Sequence, residues 1–311
     1  MVHFPSVAVI DIGSNSIKIL VAQRTSESKL TSLFYKTLDA RISAGISKTE
    51  PRLSDEGMAR GLAAIKELLV DAATYTPTKT ILVATSAVRD AVNGADFRSL
   101  IFTETGYGMR ILSGDEEANL IGRGLTCDPA LKNLQDFYLF DLGGGSLECL
   151  SFHERTIKQA LSLQLGCVRL TERCVADPKK PFTTESNLRV RELTCEHLTK
   201  NGFTFDLPAN ATAIGTGGTL TTARAILAAR DGKTFETVGS VVTISQLREL
   251  LELIGSVDLE TRRCIPGVPA GRADVMPAAL ATLIALAEFG GIKAFTNSLY
   301  NLRWGMADEA I

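Results

Sequence analysis

The chain has 311 residues, 45% of them hydrophobic and 22% charged, with a formal net charge of −2. That is apolar material for two cores, and the near-neutral balance excludes binding of nucleic acid or an anionic membrane through the overall field, so a polyanionic ligand needs a local basic site. The six cysteines form no CxxC pair and the three histidines, His3, His153 and His197, do not cluster with them, so neither a zinc site nor a disulfide framework is expected, and a reducing cytoplasm fits.

No basic, apolar leader opens the chain, and no secretory signal is expected. In chain order, residues 7–12 and 17–23 are β-rich runs, and Gly13-Ser14-Asn15-Ser16 between them predicts a hairpin. Residues 53–71 have helical periodicity, with Leu62, Ile65, Leu68 and Leu69 on one face. Ser54 is the natural N-cap, followed by Gly57 rather than a capping-box Glu. Residues 80–84 predict a short strand, with a helix beginning near Ala87; residues 109–112 predict another strand and residues 115–124 another helix. Residues 127–136 are polar, contain a proline and mark a boundary. The pattern then restarts: strand 137–141, turn Gly143-Gly144-Gly145-Ser146, strand 147–152. An apolar strand ending in an acid and a Gly/Ser turn thus occur twice, at Asp11 and at Asp141, which suggests duplicated domains. In a third glycine turn, Gly215-Thr216-Gly217-Gly218-Thr219 follows a strand ending at Ile214 and opens a helix. The last third is mostly helical, at 245–255, 273–289 and 302–310. The stretch 278–289 is interrupted by Thr282 and Glu288, is too short to span a bilayer and reads as a buried helix.

Phosphate groups need several N–H donors at close range, and Gly/Ser turns expose successive amides without bulky side chains. Each turn alone also fits an ordinary hairpin or strand-to-helix connection, but three in one chain favour phosphate binding. Asp11 and Asp141, at their strand ends, can hold a hydrated Mg2+ that bridges phosphate oxygens. Glu148, two residues past Ser146, is either a metal ligand or supporting carboxylate or an exposed strand acid. Ser113 and Glu116 fit a capping box, which accounts for Glu116. Glu117 points about 100° away on the helix and is either a water-activating base or a surface acid favoured by the helix dipole. Arg89, near a helix start, opposes that dipole and so suggests an anion partner or a solvated cation. Arg262, Arg263 and Arg272 bracket a Pro/Gly loop, and Lys179 and Lys180 form a second basic point. Either extends a polyanion path or is solvated surface.

Together these segments resemble the exopolyphosphatase/guanosine pentaphosphate phosphatase family. The resemblance is carried by residues 9–16, 84–91 and 113–118, by Asp141-Leu142-Gly143-Gly144-Gly145-Ser146-Leu147-Glu148, by the third glycine turn, and by Arg272-Ala273-Asp274 and Leu302-Arg303-Trp304-Gly305. It also covers 165–170, similar to a Gly-containing strand of the family, while Trp304 stands where an acid is usual. The resemblance implies an α/β fold of two actin/hexokinase-like (ribonuclease H-like) domains with an interdomain cleft. Domain I would span 1–125 plus the C-terminal helix at about 298–311, and domain II 126–297. The implied reaction is hydrolysis of the terminal phosphoanhydride bond of inorganic polyphosphate or a nucleotide polyphosphate, in the cytoplasm, with no nucleic acid or membrane partner and a homodimer as a candidate assembly. Glu117 would position or deprotonate water and Arg89 would offset developing charge. Gly13, Ser14, Asn15, Ser16, Gly143, Gly144, Gly145, Ser146, Gly215, Gly217, Gly218 and Thr219 would bind phosphate. Asp11, Asp141 and Glu148 would hold Mg2+ or Mn2+. The chain resembles the short, two-domain form, for which short substrates are expected. A small-molecule kinase or ATPase of the same fold, and a non-catalytic nucleotide-gated module, are the alternatives.

Overall fold

The structure is a computed structural model that describes residues 4–208 and 210–311; His3 lies outside the described residues. The chain divides into two compact units, Met1–Asn133 with Tyr300–Ile311, and Leu134–Leu299.

In the first unit the β-branched run β1 (Ser6–Ile12) is buried at every position. The expected hairpin joins it to the antiparallel β2 (Ser16–Arg24), in a register that places Asp11 opposite Lys18. The next strand, β3 (Leu30–Asp39), has no sequence expectation behind it: it is an edge strand whose residues are all exposed or half-buried, so it lacks a sustained apolar run. Helix α1 (Asp55–Ala73) starts at the expected cap, the Ser54 side chain accepting from the Gly57 N–H, and buries Ile65 and Leu68. Strand β4 (Lys79–Ala84) runs parallel to β1, followed by the short helix α2 (Ser86–Asp90), helix α3 (Gly94–Thr105), and β5 (Met109–Ile111), parallel to β4. Helix α4 (Gly114–Thr126) carries the full Ser113/Glu116 capping box. The sheet order is β3-β2-β1-β4-β5.

The second unit repeats this plan. Strands β6 (Phe137–Leu142), β7 (Leu147–His153) and β8 (Thr156–Leu163) form an antiparallel meander with Asp141 opposite Glu148. Helices α5 (Cys167–Cys174) and α6 (Thr184–Lys200) follow, then β9 (Thr212–Thr216), parallel to β6, and helix α7 (Gly218–Arg230). Strand β10 (Val241–Thr243) and helices α8 (Ile244–Gly255), α9 (Leu259–Arg263) and α10 (Met276–Gly290) precede β11 (Ala294–Asn297), which is parallel to β9. The order is β10-β11-β9-β6-β7-β8. Both sheets therefore place an antiparallel meander beside strands parallel to the first, the ribonuclease H-like arrangement, and the α/β expectation holds.

Helix α10 is buried along almost its whole length, as its largely apolar sequence predicts, and packs on α6 and α8. Among the described residues no helix is long and apolar enough to cross a membrane. The last helix, α11 (Leu302–Ala310), packs on α4, β1 and β2. Its Trp304 is buried and stacks on Tyr300 with ring centroids 4.2 Å apart, so an aromatic pair fills the position where an acid was expected.

Candidate active site

The two copied turns share one hydrogen-bonding plan. In the first, the Gly13 N–H donates to Ser16 O at 3.2 Å, while Ser14 O accepts from the Ser43 N–H and Asn15 O from those of Ala40 and Arg41. In the second, the Gly143 N–H donates to Ser146 O at 3.0 Å. Gly143 O accepts from the Cys167 N–H, Gly144 O from that of Val168, and Gly145 O from Arg169 Nε at 3.1 Å. Tying down the carbonyls turns the peptide N–H groups the other way. Among the described residues no hydrogen bond uses the N–H of Ser14, Asn15, Gly144 or Gly145. Adjacent peptide N–H groups without protein partners are what an anion requires.

The partner of the second turn corrects an expectation. Residues 165–170 do not form a strand: Gly166 is the N-cap of α5. A Cβ at Gly166 would lie 2.3 Å from backbone atoms of Gly144 and Gly145, so only glycine lets the helix start press against the turn and donate to its carbonyls.

In the third turn, Gly215 and Thr216 belong to β9. Gly215 is a packing residue rather than a loop amide: its side faces Leu220, and its carbonyl accepts from the Ser298 N–H and Asn297 Nδ2. The turn proper is Gly217, at φ +86°, where a Cβ would lie 2.5 Å from Asp141 Oδ1. Thr216 Oγ1 donates to Asp141 Oδ2 at 2.8 Å. Helix α7 then starts at Gly218 with no side-chain cap, and the Thr219 hydroxyl is buried without a partner. Beside Gly218 lies the guanidinium of Arg272, only 8% exposed, whose Nε and Nη2 also lack partners. An uncapped helix N-terminus, an orphan hydroxyl and a buried guanidinium with open donors are donors of the kind an anion needs. The sequence put Arg272 on a basic path but not at this turn; an Arg ahead of a buried helix was the available signal.

Arg262 is corrected outright. It is 1% exposed and donates to the carbonyls of Ile254, Val257, Ala273, Pro178 and Lys180. It is a strut that fixes the loop carrying Arg272, and it cannot line a polyanion path. Burial lowers its pKa. Arg263 is paired with Glu260, and Lys179 and Lys180 are exposed.

Glu117 and Arg89 meet. Arg89 Nη1 donates to Glu117 Oε2 at 2.7 Å and to Leu112 O at 3.1 Å. One alternative for Glu117 falls away here, and the expected placement of Arg89 changes. Glu117 is 5% exposed rather than a surface acid, and Arg89 lies in the last turn of the five-residue α2, where the dipole favours a cation. Glu117 is buried with the half-buried Arg89 as its charged donor, and that pairing accounts for an acid turned inward at this position. The Ser14 and Ser86 hydroxyls, 3.2 Å apart, link the first turn to the start of α2.

Asp11, Asp141 and Glu148 are all buried. Asp141 and Glu148 are cross-strand partners on one face of the β6–β7 pair, and Ser162 Oγ donates to Glu148 Oε1 at 2.8 Å. Two buried carboxylates opposite each other repel unless hydrogen bonds or a cation compensate. Among the described residues there is no group of three or more His, Cys, Asp or Glu with metal-ligand spacing. The carboxylate oxygens of Asp141 and Glu148 are donors of the type that suits a hard cation.

Comparison with known proteins finds relatives along the whole chain. The chain is 30% identical over 320 residues to "Exopolyphosphatase 2" of Mycobacterium tuberculosis, covering 97% of each. It is 29% identical to a "Guanosine-5'-triphosphate,3'-diphosphate pyrophosphatase" of Vibrio cholerae, covering 100% of this chain and 60% of that relative. The crystal structure of an exopolyphosphatase from Cytophaga hutchinsonii has the same fold, with a TM-score of 0.87 at 23% identity over 98% of this chain and 99% of that one. Residues 9–311 match the Ppx/GppA phosphatase family, and with paired Gly/Ser turns on duplicated ribonuclease H-like sheets, the chain belongs to it.

Proposed function

We propose that this protein is a phosphoanhydride hydrolase that releases orthophosphate from the end of inorganic polyphosphate or of a nucleotide polyphosphate such as guanosine pentaphosphate. The observation that carries the proposal is the pair of turns whose carbonyls are tied down and whose amides are left for an anion. The names of the mycobacterial and Vibrio relatives support the substrate class.

Glu117 takes the role of the group that orients or deprotonates the attacking water. Its Oε2 is fixed by Arg89, which sets the direction of the carboxylate and brings a cation to where charge develops. The amides of Ser14, Asn15, Gly144 and Gly145, the start of α7 with Thr219, and Arg272 hold phosphate oxygens. Asp11, Asp141 and Glu148 would each be available to Mg2+ or Mn2+, directly or through water, and the metal would supply positive charge to the phosphate groups. A cytoplasmic setting fits six cysteines with no disulfide between them.

An orthophosphate-release screen over tripolyphosphate, long polyphosphate, ATP and guanosine pentaphosphate tests the proposal. Orthophosphate release with no phosphorylated acceptor is expected. Transfer to an added sugar or other hydroxyl acceptor in place of water would overturn it in favour of a kinase of the same fold.

A further inference from the structure

In the first unit, residues 40–43 do for the first turn what the start of α5 does for the second. They donate backbone N–H groups to the carbonyls of Ser14 and Asn15. Arg41 holds a left-handed φ of +36°, which costs a non-glycine residue about 1–2 kcal/mol. It is pinned there from α1: Arg60 donates Nε to Ala40 O and Nη2 to Arg41 O, each at 2.9 Å. Strain of this kind is retained where the surrounding structure over-determines it, which is common at ligand clamps. The kink aims the Arg41 side chain at the turn, where its Nε donates to Asn15 Oδ1 at 3.0 Å.

That bond decides which way the Asn15 amide faces. A guanidinium N–H can only donate, so the atom it meets is the amide oxygen, and the NH2 is turned away from it. Asn15 is 3% exposed, and its Nδ2 has no partner. A buried donor left unmade costs about 1–3 kcal/mol. Ser43 Oγ, on the same segment, is a second buried group without a partner. The Asn15 side-chain donor thus belongs with the Ser14 and Asn15 peptide amides, whose hydrogen bonds are likewise unmade.

We propose that Arg41 is a positioning residue that locks the Asn15 amide so that Nδ2 donates to a phosphate oxygen of the substrate. The proposal rests on the phosphate-binding role given above to the first turn. Without Arg41 the amide is free to present its oxygen, which repels phosphate. Arg41 thereby acts on affinity through Asn15 rather than on the chemical step.

A double-mutant cycle on tripolyphosphate binding, read by calorimetry, tests this. Arg41→Ala should raise Kd by roughly 5–10-fold in the wild-type background and by less than about twofold in Asn15→Ala, because residues acting as one unit are not additive. Asn15→Asp keeps an acceptor for Arg41, so it should hold the melting temperature at or above wild type while raising Kd by about 10-fold or more. An equal effect of Arg41→Ala in both backgrounds, or wild-type Kd in Asn15→Asp, overturns the proposal. Should Arg41→Ala fail to fold, Asn15→Asp alone decides. The cycle is read on binding, so it judges Arg41 even if hydrolysis itself is disproved by the orthophosphate screen.

Discussion

In the first turn of α4, Ser113 Oγ accepts from the Glu116 N–H at 3.1 Å, and Glu116 Oε2 accepts from the Ser113 N–H at 2.8 Å. Glu117, the next residue, is turned inward onto Arg89. Glu117→Gln should lower kcat by roughly 10²-fold or more, as loss of a general base does. It should also cost about 1–3 kcal/mol, because Arg89 loses a charged acceptor. Glu116→Gln should leave kcat within about twofold, since Gln also completes a capping box. Equal losses of kcat in the two variants would remove Glu117 from its role. Glu116 has a pH signature of its own. Its hydrogen bond to Arg110, and then those to Ser113, lower its carboxyl from 4.5 to about 2. A depressed carboxyl stabilises the folded state above the unfolded value and loses that effect as pH falls. The stability difference between wild type and Glu116→Gln should therefore shrink between pH 4.5 and about 2 in acid melts. A difference that stays flat through that window would show that Arg110 and Ser113 do not hold the charge. The neighbouring Glu117 shows what one sequence cannot tell: its alternatives differ by burial, which Arg89, far back in the chain, supplies.

Elements, rather than residues, present the amides. The N-terminus of α5 presses on the second turn through Gly166, and the loop before α10 brings Arg272 to the start of α7. Gly166→Ala should displace the turn, since the nearest atoms are backbone and cannot swing aside. Binding of orthophosphate or tripolyphosphate should fall by about tenfold or more while far-ultraviolet circular dichroism is retained. Unchanged binding would mean that the α5 contact does not shape the site. Arg262→Met tests the strut. It leaves several buried carbonyls without donors and should cost about 3 kcal/mol or more. Arg263→Met, on the exposed side of the same helix, should change stability by less than about 0.5 kcal/mol. Comparable melting temperatures for the two would refute the strut. Helix and strand positions with strong apolar periodicity were legible in advance: β1, β2, α1, α4 and α10 fall where the pattern puts them. Edge strands such as β3 and β8, and α6 with its polar faces, were not, because their stability comes from pairing and docking rather than from a pattern of their own.

At the scale of the molecule, each sheet has its own apolar core, and the carboxylates assigned to the metal lie at strand ends rather than within those cores. Excess chelator should therefore abolish orthophosphate release and shift the melting temperature by no more than a few degrees. Release that persists in chelator would reject the metal role of Asp11, Asp141 and Glu148. The net charge of −2 gives no long-range pull on a polyanion. Attraction must come from buried cations such as Arg272 and from amides, which salt screens less than exposed charges at a Debye length of about 8 Å. KM should therefore rise only modestly, by about two- to threefold, between 50 and 200 mM salt, against the far steeper change of a protein that tracks a polyanion through many exposed Lys and Arg contacts.

The repeated strand-and-turn pattern, the three glycine turns, the capping box and the α/β class are all legible in the residues alone, because each depends on local backbone geometry and short periodicity. Only the folded chain shows which N–H groups are left without protein partners, that Arg262 is a strut while Arg272 is a ligand candidate, that Gly166 caps a helix, and that Glu117 is buried against Arg89. Those properties arise from contacts between residues tens of positions apart, such as Gly166 on Gly144, Arg89 on Glu117 and Lys180 on Arg262. Burial and partner choice follow from how the sheets and helices fold over one another, and no local pattern encodes them.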